Sequence, residues 1–248
     1  MSHTPRHSHH TVDMIRFRRL METACLDAII AWGGANFQYL TGFQNYFDNP
    51  GGSIALIPAD TSQKGIALVA NWVEEAANSN INMADVRTFP LWLEIVDVAD
   101  IRSGTAKSMP KPSPRFDIAK NMTIMADEIT ARGLQKGRIG IELNLISTAA
   151  FSLLQQRLPG VEFVECGALL TDLRAIKSPF EIECLREATR FAEEGLLAVA
   201  STPLQGLNAN NLKMIYDTAC ASRAERLPNS GFAGTRVTTS IGGNISPT

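Results

Sequence analysis

Histidine is missing from the body of this chain. All four histidines of the 248 residues, His3, His7, His9 and His10, fall among the first ten. From residue 11 onward there is therefore no Ser-His-Asp triad, no Cys-His pair and no histidine-bearing metal site. The leading stretch, mixed with Ser, Thr and Pro, reads as a flexible tail over 1–11. Cysteine is scarce as well. Cys25, Cys166, Cys184 and Cys220 form no C-x-x-C pair, which excludes a disulfide framework or zinc clamp and predicts buried thiols in a reducing cytoplasm. Neither sign of charge dominates: 23 Lys plus Arg stand against 25 Asp plus Glu, a net charge of -2. That balance gives no footprint for a phosphate backbone or an anionic membrane. No apolar run approaches the roughly 20 residues that span a bilayer. Arg16, Arg18 and Arg19 ahead of Leu26–Trp32 imitate a signal peptide, but Glu22 and Asp27 interrupt the run. The expectation is a cytoplasmic protein with neither nucleic acid nor membrane as partner.

What is present is the composition of a globular protein, 45% apolar and 19% charged. At about 150 residues per domain, the length allows one large domain or two smaller ones. Met14, Phe17, Leu20, Met21 and Ala24 recur at helical spacing, predicting an amphipathic helix over 12–25. Leu26–Trp32 reads as a buried strand ended by Gly33-Gly34, and Ser53–Pro58 with Gly65–Ala70 as a hairpin. A short helix is expected over Trp72–Asn78 and a strand over Val86–Phe89. Residues 102–115 carry three prolines without periodicity and read as a loop. Ile118, Met122, Met125 and Ile129 mark a helix ending at Gly133. Strands at Arg138–Glu142 and Val161–Val164 flank a helix over 147–157. This alternation predicts an α/β domain with a mixed sheet.

The pattern changes near residue 175. Ser178-Pro179-Phe180-Glu181 is a capping box with proline at the first helical position. Beyond it Ile182, Leu185, Ala188, Phe191, Ala192, Gly195, Leu196 and Val199 keep one apolar face. A second helix follows, capped by Asn208, with Leu212, Ile215, Tyr216 and Ala219 inside.

The carboxylates assemble no evident site. Glu74-Glu75 and Glu193-Glu194 sit in helical context, where neighbours point about 100° apart, and read as solvated faces. Glu181 and Glu183 suit the positive end of a helix. Asp217 and Glu225 are the other obvious carboxylates, and Cys220 lacks a base. Trp92, after Pro90, could line a site, but a core or interface role is the commoner fate of such a residue.

Three segments resemble one family. Asn36-Phe37-Gln38-Tyr39-Leu40-Thr41-Gly42-Phe43 resembles the N-x-x-Y-L-T-G-F signature of the creatinase-type N-terminal domain. Arg138-Ile139-Gly140-Ile141-Glu142 is similar to its G-R-I-G-I-E strand. Leu173 to Glu183 resembles the R-x-I-K-S-P-x-E-I-E junction that opens the catalytic domain of creatinases, prolidases and Xaa-Pro aminopeptidases. The resemblance implies a creatinase-type N-terminal domain over 12–172, a mixed sheet flanked by helices. After it, 173–248 would begin an α+β pita-bread domain that stops before its metal ligands.

The resemblance also implies a function. The parent would be a homodimeric hydrolase of C–N bonds in a small compound or a peptide. It would use two divalent ions (Mn, Co, Zn or Fe) held by two Asp, one His and two Glu, unless it works without metal as creatinase does. Ser240 to Thr248 resembles the segment just ahead of the first ligand, so this chain is expected to bind no cofactor and to be incompetent alone. In the family a loop after L-T-G-F reaches the neighbour's active site. Here that loop offers Tyr46, Phe47 and Asn49 as a substrate wall across the dimer, with packing against the next strand as the alternative. Creatinases carry an arginine in this loop; none occurs between residues 20 and 86, which counts against creatine itself. The alternative function is a standalone, non-catalytic protein for dimerisation or small-ligand binding. An unrelated α/β enzyme using carboxylates alone ranks last.

Overall fold

The structure is a computed structural model, and it describes residues 12–44, 53–90, 97–105, 117–227, 232 and 234–237. They fall into two compact units, Thr11–Ile176 and Lys177 onward. Among them no helix is long and apolar enough to cross a membrane.

The first unit is built on a six-stranded mixed sheet. Its strands are β1 Ala28–Trp32, β2 Ile54–Pro58, β3 Gly65–Ala70, β4 Ala84–Phe89, β5 Arg138–Ile141 and β6 Glu162–Glu165, in the spatial order β4-β3-β2-β1-β5-β6. β1, β2 and β3 pair antiparallel, Trp32 facing Ile54 and Ile54 facing Leu68. β3–β4, β1–β5 and β5–β6 pair parallel. Every residue of β1, β2 and β3 is buried. Successive side chains point to opposite faces, so both faces of the central sheet are covered, which is why these segments read as unbroken apolar runs.

The helices supply the cover with one apolar stripe each. Helix α1, Met14–Thr23, buries Phe17 and Met21 completely, and the Asp13 carboxylate accepts from the Arg16 amide at 2.9 Å to cap it. Helix α2, Gly34–Thr41, follows β1 directly. The short helix expected near Trp72 is a 3-10 turn, Asn71–Val73, running into α3, Glu74–Asn80. Helix α4 spans Val98–Ser103 and ends on Gly104. Arg102 and Ser103 are thus helical, a correction to the expected loop: Asp97 caps the segment by accepting from Ala99 at 2.7 Å, and this local bond acts without apolar periodicity. Helix α5, Ile118–Ala131, buries Met122, Met125, Ala126 and Ile129. α6, Thr148–Arg157, and α7, Gly167–Ala175, complete the unit.

The second unit consists, in its described part, of α8, Pro179–Ala200, and α9, Ala209–Arg226. The capping box forms in full: Glu181 N–H donates to Ser178 Oγ at 3.2 Å, and Ser178 N–H donates to Glu181 Oε2 at 2.7 Å. The helices approach closely at Gly195, where a Cβ would lie 2.6 Å from the Tyr216 ring. Burial is sparser than the apolar stripe predicted. Phe191, Gly195 and Cys220 are buried, whereas Ile182, Leu185, Ala188 and Leu196 are exposed and Leu212, Ile215, Tyr216 and Ala219 half-buried. Two antiparallel helices shield only the residues at their seam. Around that seam Arg223 pairs with Glu187 at 2.5 Å and Glu194 at 3.1 Å, and Arg226 also pairs with Glu194. Glu194 is thus paired with two arginines while its side chain stays partly exposed, and Glu193 is exposed as expected.

Candidate functional site

Polar side chains gather where β1, β5 and β6 end. The apolar strand β5 delivers Glu142 directly after Ile141, and Glu142 is only 4% exposed. A buried carboxylate needs donors. Glu142 Oε2 accepts the backbone N–H of Trp32 at 2.8 Å, and Oε1 accepts from Asn36 Nδ2 at 2.5 Å. The other end of the same amide, Asn36 Oδ1, accepts from the Arg174 guanidinium at 2.8 Å.

Local backbone chemistry puts Asn36 there. Gly33 and Gly34 both carry positive φ, +55° and +52°. That left-handed turn, accessible to glycine without strain, folds α2 back from the end of β1. Phe37 and Leu40 then anchor α2 in the core, with Tyr39 partly buried against it. Thr41 Oγ1 donates to the Phe37 carbonyl at 2.7 Å and accepts from Phe43 N–H at 3.2 Å. Gly42 closes the helix with φ +72°. The N-x-x-Y-L-T-G-F pattern is thus a packed helix with a polar head.

Burial pushes the Glu142 carboxyl above the usual glutamate range, outweighing the Trp32 and Asn36 donors; Glu165 adds to the rise and Arg174 opposes it. Glu165 is occupied by two backbone donors, accepting from Gly167 N–H in its own turn at 2.6 Å and from Leu143 N–H, just after Glu142, at 2.8 Å. Cys166, next in the chain after Glu165, is buried, and its thiol is pushed far up by burial and by the negative charges of Glu142 and Glu165. Such a thiol is no nucleophile at neutral pH. What this arrangement does is hold three distant segments together and select one amide orientation.

Two clefts flank the turn after α1. One, about 470 Å³, is lined by Arg18, Glu22, Cys25, Leu26, Asp27 and Ala59; the other, about 430 Å³, runs past Arg138, Glu165 and Cys166. Cys25 is exposed at both and Cys184 is exposed on α8, correcting the expectation of four buried thiols. Cys25 sits in the turn that ends α1, at φ +52°, and Cys184 on the open side of a two-helix pair.

The expected substrate-wall residues Tyr46, Phe47 and Asn49, and Trp92, lie outside the described residues. Glu74 and Glu75 are exposed on α3. Asp217 is bound to Lys213 and Thr235. Among the described residues no three His, Cys, Asp or Glu side chains are placed to hold a metal ion, so no metal-dependent step is assigned to them. Asn36, Glu142 and Arg174 were legible as letters of three motifs but not as partners. The available signal was a carboxylate closing an apolar strand, which demands donors from elsewhere.

A family model described as the creatinase/prolidase N-terminal domain matches residues 14–176. Solved structures share the fold. An Xaa-Pro dipeptidase from Bacillus anthracis superposes with a TM-score of 0.61 at 16% identity, over 85% of this chain and 48% of that one. For an X-Pro aminopeptidase from Thermotoga maritima the values are 0.61, 14%, 84% and 49%. For a recombinant prolidase from Thermococcus sibiricus they are 0.62, 14%, 85% and 49%. The chain spans about half the length of these structures. No curated protein matches it.

Proposed function

Because this chain belongs to the creatinase/prolidase N-terminal domain family, we propose that it is the N-terminal part of a cytoplasmic hydrolase that cleaves a C–N bond in an Xaa-Pro peptide or another small substrate. The family match over 14–176 carries this reading, and the fold shared with the Xaa-Pro dipeptidase and prolidase structures supports it. The first unit serves dimerisation and access to substrate, with Tyr46, Phe47 and Asn49 lining the partner's site. The chemistry belongs to a further part of the parent, where two divalent ions (Mn, Co, Zn or Fe) would activate water. The 248-residue chain alone is then inactive.

The test is the intact mass of the protein from its native source, followed by hydrolysis of Xaa-Pro dipeptides with and without a chelator. A heavier native protein, active with Mn²⁺ and silenced by EDTA, is the expected result. Metal-dependent turnover by the 248 residues alone would overturn the division of labour. A second reading, a standalone dimerisation or small-ligand-binding protein, is favoured by the first unit's own closed core, with β1, β2 and β3 wholly buried. It requires a native mass equal to that of this chain and no turnover.

A further inference from the structure

We draw no further inference here: the strongest candidate, the apolar stripe of Ile182, Leu185 and Leu196 exposed along α8 of the second unit, carries nothing because nothing in the structure shows what covers it.

Discussion

Arg174 donates a 2.8 Å hydrogen bond to Asn36, joining side chains 138 positions apart in the chain. Through Asn36 that bond reaches Glu142, so one residue from each of the three family motifs belongs to a single network. Removal of the guanidinium leaves a half-buried amide oxygen without this donor. Arg174→Ala is expected to lower the stability of the first unit by about 1–3 kcal/mol, and Arg174→Lys by less. Tryptophan fluorescence during urea unfolding reads this unit alone, because Trp32, Trp72 and Trp92 all precede residue 177.

A second cluster predicts acid sensitivity. Glu128 on α5 binds Arg87 from β4 and Arg132, the residue that caps the end of α5. Burial pushes its carboxyl up, but hydrogen bonds from Arg132 and Arg87 outweigh it and the pKa falls below 4.5. A depressed carboxylate contributes stability above its unfolded pKa, which is lost as pH falls through the folded value. Glu128→Gln should therefore melt below wild type at neutral pH, with the gap closing as pH drops below 4.5.

The seam of the second unit is tested at Gly195. An added Cβ would meet the Tyr216 ring at 2.6 Å and Cys220 Sγ at 3.0 Å, forcing the helices apart. Gly195→Ala is expected to cost about 1–3 kcal/mol. Far-UV circular dichroism should show early loss of helix while the fluorescence midpoint of the first unit stays put. Coincident shifts in both signals would contradict a local effect.

Thiol labelling separates the four cysteines. Cys25 and Cys184 are exposed, whereas Cys166 and Cys220 are buried, and Cys220 Sγ donates to the Phe191 carbonyl at 3.3 Å. A thiol reagent should modify two cysteines in the native protein and four in denaturant. At Cys184 partial burial, then Glu181 and Glu183, raise the pKa, so its labelling should accelerate toward alkaline pH.

Much of the fold is legible residue by residue. Ala28–Trp32, Ile54–Pro58 and Gly65–Ala70 are apolar runs bounded by turn residues and form strands within two residues of expectation. Ser178 and Glu181 announce α8 because a capping box is satisfied entirely within four residues. The N-x-x-Y-L-T-G-F segment was legible as a family mark, while its helix was not: α2 is held by Phe37 and Leu40 meeting the core, not by an alternating or capped local pattern.

Local interactions thus determined the strands, the caps and the amphipathic helices, since each depends on neighbours a few positions away. The tertiary structure alone decided that Asn36, Glu142 and Arg174 meet, that Glu194 is bound to arginines, and that Cys25 and Cys184 are exposed. A buried carboxylate can take its donors from any part of the chain that folding brings near, and residues 106 and 138 positions from Asn36 come together only once β5 and α7 have packed beside β1 and α2.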